Sequence, residues 1–454
     1  MIIHLSSISF VLFIVQGCAK PGAASASNSG FDVSAALSEV VPTVVTVTWT
    51  SDHAPLDEAW VEFGLTETYG TRVAANLANS PASAVLFGLK PSSDYHFRVT
   101  GAAGGEPVTS DDQVITTGDA PADFPRPSVD GGDGTVLSGG FLVTSVYTAP
   151  PAAVILDNEG DYVWWYEPDD PNFQVSRARL SQDGASVLFW TENVRPGGAP
   201  EVLYRVKVDG SGLTGTSLPD GHHDFLERTD GIVAYLEFDR RDVDGSTVEG
   251  DRLMELAPDG TISQVYDVWD DFDTSRPSYA EPGESWSHAN SLSWLPDEDA
   301  YLVTFLGFNS IFKIDRLTGT LLWQFGGDES DFVDAEGSSD LLNRPHHCSP
   351  VDGGILVFEN GDPERNSSRI LEYTLDEEAG FADVVWSYTP DPTVFTYSLG
   401  DAQRLPDGST LANFAMQGQL DLVDSDGQRT SRLNMSLGGA FGYSEWMEVL
   451  RGTE

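Results

Sequence analysis

Cysteine is almost missing from this 454-residue chain: Cys18 and Cys348 are the only two. They allow one disulfide at most, and none if Cys18 is lipidated, which leaves Cys348 a lone thiol. Basic residues are also scarce, 24 Lys and Arg against 71 Asp and Glu, for a net charge of −47. That balance argues against nucleic acid or an anionic membrane as partner and reads as a solvated acidic surface. Helical periodicity is nearly absent, and so are long apolar runs. Ile8 to Val15 is too short to span a bilayer of about 30 Å as a helix. Histidine is rare too, with eight in the whole chain. What is present is a hydrophobic content of 40% with 11% aromatics, enough for a globular chain with room for one large and one small core.

The first 18 residues read as a targeting segment. The apolar run ends at Val15-Gln16-Gly17-Cys18, which resembles a bacterial lipobox, with Cys18 as the acylated residue. The expectation is an exported lipoprotein, periplasmic or held at an outer membrane or cell surface by its lipid alone, with a soluble exported protein as the fallback. Residues 19–30 are a small-residue tether. Residues 31–118 carry short alternating strands such as Val44 to Trp49, Ala59 to Phe63 and Asp94 to Val99. With Trp49 upstream, the stretch Leu89 to Tyr95 resembles the fibronectin type III domain, a β-sandwich with a turn proline and a corner tyrosine.

Residues 119–454 repeat. A strand–turn–strand phrase recurs from Val154, Leu203, Leu253, Ile311, Ile370 and Leu420. Asp-Gly turns lie between the copies at Asp183-Gly184, Asp230-Gly231, Asp352-Gly353 and Asp407-Gly408. Two hairpins per unit and six units predict an all-β fold: a six-bladed β-propeller preceded by the small sandwich.

All five histidines of this region fall in three motifs: Gly221-His222-His223-Asp224-Phe225, Trp286-Ser287-His288-Ala289-Asn290 and Arg344-Pro345-His346-His347-Cys348. They occupy similar phases in three consecutive units, the third to the fifth, just ahead of the innermost strands, so blade geometry should bring them to one end of the channel. They could simply cap strands and satisfy buried carbonyls. They could instead hold zinc or iron together with Asp224, although no ligand pair has diagnostic spacing. The Asp242-Val243-Asp244-Gly245 and Asp424-Ser425-Asp426-Gly427 stretches lack the twelfth-position Glu of a calcium loop and read as turns. The third use is metal-free group transfer, in which a neutral imidazole attacks, carries the group covalently, and neighbours shuttle protons.

One ordered set of motifs decides among these. His288-Ala289-Asn290-Ser291-Leu292 leads to Val303-Thr304-Phe305-Leu306 and Ile311-Phe312-Lys313-Ile314-Asp315, then Phe358-Glu359-Asn360-Gly361 and Ser368 to Tyr373. With His222-His223-Asp224 and His346-His347, it resembles the bacterial arylsulfate sulfotransferases. The resemblance implies a periplasmic propeller enzyme that moves a sulfuryl group from an aryl sulfate to a phenol through a sulfated histidine, ping-pong, with neither nucleotide donor nor cofactor. It implies that His346 or His347 is the carrier, with one deletion being simpler than two and so pointing to His346. It makes His288 and Asn290 the holders of the sulfuryl oxygens or leaving phenoxide, and His222 or His223 the proton acceptor. Where the family has a sulfuryl-gripping arginine this chain has Leu306, so Arg344 or Arg369 is expected to compensate. If neither does, a metal-dependent enzyme or a non-catalytic surface-binding propeller remains. A homodimer is one arrangement open to it.

Overall fold

The computed structural model describes residues 29–450, apart from 54, 133–134, 136, 138, 149, 169–172, 194–200, 282–284, 362–363 and 437–438. The leader, Cys18 and most of the tether lie outside the described residues. Among the described residues no helix is long and apolar enough to cross a membrane.

Period-two alternation builds the N-terminal unit. Val45–Ser51 turns Val45, Val47 and Trp49 inward, and Asp94–Ala103 does the same with Tyr95, Phe97 and Val99. One antiparallel sheet joins Phe31–Leu37, Val45–Ser51 and Ala82–Leu86; the other joins Thr71–Ala74, Glu58–Gly64, Asp94–Ala103 and Glu106–Thr109, with Gln113–Thr116 also paired to Asp94–Ala103. The two sheets close on one apolar core. The Tyr95 hydroxyl accepts the Lys90 N–H at 3.0 Å, bracing the turn before that strand.

The rest of the chain makes six antiparallel blades. Blades 2 to 5 are continuous in sequence. They begin with the inner strands Phe173–Leu180, Gly221–Glu227, Ala289–Leu295 and Pro345–Val351 and end with the outer strands Thr214–Ser217, Ile262–Asp267, Leu321–Phe325 and Phe381–Tyr388. Their middle strands are near-continuous apolar runs, Tyr301-Leu302-Val303 and Ile355-Leu356-Val357 among them, because each blade is covered on both faces by its neighbours. Asp-Gly turns close the inner hairpins where the sequence places them; Gly353 sits at φ +72°, a conformation glycine adopts without steric penalty.

The ring closes twice. Blade 1 (Phe141–Val146, Ala152–Asp157, Tyr162–Tyr166) takes its innermost strand from the far end of the chain, Glu445–Met447. Blade 6, which starts at Asp401–Arg404 and ends at Arg429–Asn434, gains Ser128–Gly131 as a fifth, outermost strand. Each closure pairs a strand edge that would otherwise stay open.

The sandwich is fastened to blades 1 and 2. Val41, Val44 and Phe87 join the propeller core, and the Thr43 hydroxyl donates to the Val163 carbonyl at 2.8 Å. Lys90 Nζ meets Asp157, Glu159 and Asp161 at 2.7, 3.0 and 2.8 Å.

One sequence expectation needs correction. The histidines do not all lie ahead of the innermost strands: His222, His223, His346 and His347 are within them, and only His288 precedes its strand. Pairing begins earlier than the apolar pattern suggests. Each of the three strands has a register irregularity there, between His222 and Phe225, Ala289 and Ser291, and Pro345 and His347. Such bulges re-aim side chains towards the axis.

Candidate active site

The starts of the three inner strands bring His223, His288 and His346 together at one end of the channel. The His223 ring lies 5.5 Å from His288 and 6.4 Å from His346, centre to centre. His223 and His288 are half-buried and face the opening, whereas His222, His346 and His347 are buried. The backbone around them is strained: His223, His288, Arg344 and Leu399 have φ of +57°, +47°, +52° and +56°. Non-glycine residues in this region raise the energy by roughly 1–3 kcal/mol each and persist where the surroundings over-determine them, often at functional sites.

His346 is held as one tautomer. Its Nε2 accepts the Leu399 N–H at 3.0 Å, and its Nδ1 is 3.2 Å from the Tyr443 hydroxyl. That hydroxyl donates its one proton to the Asn290 carbonyl at 2.7 Å. Nδ1 must therefore carry the His346 proton and Nε2 the lone pair. Burial, followed by the nearby His288, pushes the His346 pKa down to about 3, so the ring is neutral at any working pH. Burial lifts the Tyr443 phenol well above its ordinary range, keeping it a donor.

His222 and His223 form a second unit. Their Nδ1 atoms are 2.8 Å apart, and the His222 ring stacks on Phe238 at 3.8 Å. His222 Nε2 lies 3.0 Å from Asp251 Oδ1, a close contact outside hydrogen-bond geometry that leaves both atoms without another partner. The His223 backbone N–H donates to Glu192 at 2.8 Å. Burial, then the other imidazoles, drives the His223 pKa well below 6.5.

Asn290 is fully buried, yet neither its amide nitrogen nor its amide oxygen has a hydrogen-bond partner. A buried amide in that state is unfavourable by about 1–3 kcal/mol per group unless a ligand or water takes it up.

The Tyr443 ring floors this cluster and separates it from a charged layer. His346 and His347 contact the ring at 5.7 and 6.2 Å, and the Arg177 guanidinium lies 5.0 Å from its centre. Arg177 and Arg179 approach Asp224 at 3.4 and 3.6 Å. Arg177 is only 3% exposed, and its Nε and Nη1 have no hydrogen-bond partner. His347 belongs to this layer: after burial, Arg177 and Arg179 are the main causes that lower its pKa.

The expected compensating arginines lie elsewhere. Arg369 is on the third strand from the axis and donates to Glu359 at 2.6 Å, so strand position takes it away from the histidines. Arg344 is nearer, but its guanidinium turns to the Tyr279 carbonyl and Glu281 at 3.2 and 3.4 Å. Leu306 is buried beside the site, its N–H bonded to the His288 carbonyl at 2.9 Å. The cluster expected of a metal site is also not in the channel. Among the described residues, the one set of three His, Cys, Asp or Glu ligand atoms within 4.8 Å of one another is Glu67, His96 and Asp112, in the sandwich.

Sequence reasoning did not find Asp251, Glu192, Leu399, Tyr443, Arg177 or Arg179. Arg177 did leave a signal, since Ser176-Arg177 precede the Asp183-Gly184 turn in much the phase of the histidine motifs. Tyr443 left none, because it reaches the site only through ring closure.

Residues 133–438 match the arylsulfotransferase (ASST) family model. The arylsulfate sulfotransferase AssT of Escherichia coli O6:H1 (strain CFT073) is 22% identical over 365 residues, covering 63% of this chain and 60% of that protein. The AssT of Lelliottia amnigena is 22% identical over 318 residues, 52% of each chain. This chain thus spans less than two thirds of either relative. Among solved structures, a Bacteroides caccae protein of unknown function aligns with a TM-score of 0.47 and 14% identity, over 68% of this chain and 98% of its own. With the family match running from blade 1 to the last strand of blade 6 and enclosing all five channel histidines, this chain belongs to the arylsulfotransferase family.

Proposed function

We propose that the protein transfers a sulfuryl group from an aryl sulfate to a phenolic acceptor, through a histidine and without a nucleotide donor. The observation that carries this reading is the convergence of three imidazoles, His223, His288 and His346, beside the unpartnered Asn290 amide.

In the first half-reaction His346 Nε2 attacks sulfur, the bond from sulfur to the aryl oxygen breaks, and the phenoxide leaves with that electron pair. The Leu399 N–H, displaced from Nε2, is then placed to meet a sulfuryl oxygen. Asn290 Nδ2 and His288 serve the other oxygens. In the second half-reaction the acceptor phenol gives its proton to His223 Nε2. Its oxygen attacks sulfur and the N–S bond breaks, returning the lone pair to His346. His346 is preferred to His347 because it shares the layer of His223 and His288, while His347 sits beneath Tyr443. With Leu306 beside His288, no guanidinium grips the sulfuryl group from that blade. Arg177 and Arg179, one layer down, supply positive potential to the anionic substrate. The Cys18 motif supports export and membrane tethering by lipid.

The test uses chelator-treated protein, a chromogenic aryl sulfate and a second phenol. Phenol release should rise with acceptor concentration, and His346→Ala should abolish it. Full transfer by that variant would overturn the assignment, and no release by the wild type would overturn the function.

A further inference from the structure

Asp251 lies on the long middle hairpin of blade 3. Its middle strands, Val233–Val243 and Ser246–Leu256, are each 11 residues long. The inner strand Gly221–Glu227 stops pairing at Glu237, so the hairpin overhangs the mouth of the channel. Phe238 and Asp251 face each other on that overhang, and both meet His222: Phe238 by stacking, Asp251 through the 3.0 Å contact with Nε2. Asp251 is 1% exposed and is fixed from its other oxygen, which accepts the Ser287 hydroxyl and the Ala289 N–H, the latter at 3.0 Å. Ser287 and Ala289 flank His288, so one carboxylate braces two of the three histidine motifs.

We infer that Asp251 is a positioning residue for proton transfer: through His222 it fixes the tautomer of His223, leaving the lone pair on His223 Nε2. The Asp251 carboxylate, 3.0 Å from His222 Nε2 and with no other partner for that oxygen, electrostatically favours the His222 proton on that nitrogen. His222 Nδ1 then has only a lone pair to offer, and the 2.8 Å contact between the two Nδ1 atoms must be donated by His223. The His223 proton is thereby held at Nδ1, and Nε2, on the opposite side of the ring, is bare. An aspartate acting through one imidazole on the next sets the base without itself changing protonation. The same logic orients the histidine of serine hydrolases. This inference rests on the proposed sulfuryl transfer for its consequence, not for its geometry.

Two measurements test it. The first is independent of activity: two-bond 1H–15N correlation on 15N-histidine protein, with the rings assigned by His222→Gln and His223→Gln. The wild type should show protonated Nδ1 and bare Nε2 at His223, and protonated Nε2 at His222. A protonated Nε2 at His223 would overturn the relay, whatever the enzyme does. The second is Asp251→Asn, which keeps an oxygen for Ser287 and Ala289 but can offer His222 an N–H instead. The burst of phenol from the donor should survive within a few-fold. Acceptor-dependent turnover should fall by roughly 10²- to 10⁴-fold, the usual contribution of general acid–base catalysis, and Asp251→Glu should restore part of it. Equal loss in both half-reactions, or no loss in either, would refute the role. A wild type inactive towards aryl sulfates would sink the function while the spectra still decided the tautomer.

Discussion

Replacing Tyr443 with Phe deletes one oxygen atom and tests the floor of the site. The hydroxyl donates to the Asn290 carbonyl at 2.7 Å and stands 3.2 Å from His346 Nδ1. Both partners are buried, so the substitution strands a carbonyl and a ring N–H away from water. Each stranded group is unfavourable by about 1–3 kcal/mol, so the expected loss for the two is about 2–6 kcal/mol. The phenyl ring itself keeps its contacts with His346, His347 and Arg177, and little packing is lost. The assay is urea unfolding of both proteins at pH 7.5, with the difference taken from the midpoints at a shared slope. In parallel, the His346 ring should keep its tautomer, because the Leu399 N–H still holds Nε2 as the acceptor, and the donor burst should slow. A stability change below about 0.5 kcal/mol would show that the bridge from His346 to Asn290 does not form, since a lost pair of buried hydrogen bonds cannot be that small.

His347→Ala should retain acceptor-dependent transfer at a reduced rate while His346→Ala abolishes it; the reverse pattern in a donor–acceptor assay would exchange their roles. Acid should destabilise the fold. His346 is pushed down to about 3 and His223 and His347 well below 6.5, so between those values and about 6.5 the unfolded chain binds protons that the folded chain does not. Their contribution to stability is therefore lost as pH falls from about 6.5 towards 3. Asp401, pushed up to about 6 by burial, acts in the opposite sense between about 6 and 4. Unfolding followed from pH 7 to pH 4 should show the three histidines winning, and His346→Gln should flatten the slope; an unchanged slope would contradict the burial argument. Lys90→Met should loosen the sandwich from blade 1 and lower stability by about 1–2 kcal/mol, because it leaves Asp157 short of a partner that is itself only partly solvated. Limited proteolysis between the two units would report the change, and unaltered cleavage would show that the apolar contacts of Val41, Val44 and Phe87 suffice.

The blades were legible because their causes are local. Alternation along Val45–Ser51, apolar runs such as Tyr301-Leu302-Val303, and Asp-Gly turns at fixed phase each act over a few residues, and six repeats of one pattern leave little choice of architecture. The histidine motifs were legible for the same reason: equivalent places in equivalent units converge once the units are arranged in a ring. The sequence also told against Leu306 as an anion holder, since no fold can lend leucine a charge.

What acts across the channel was not legible. Tyr443 is paired with Asn290 and His346 at separations of 153 and 97 residues, and only closure of the ring by Glu445–Met447 sets its hydroxyl there. Asp251 comes to His222 because one hairpin outgrows its blade. Arg369 stands outside the site because the third strand of a blade is far from the axis, although its motif lies in the right order. Sequence alone therefore determined the fold class, the repeat and which histidine motifs would occupy equivalent places in the ring. The tertiary structure decided which nitrogen of each would carry the proton, because that depends on partners one hydrogen bond away in space and a hundred residues away in the chain.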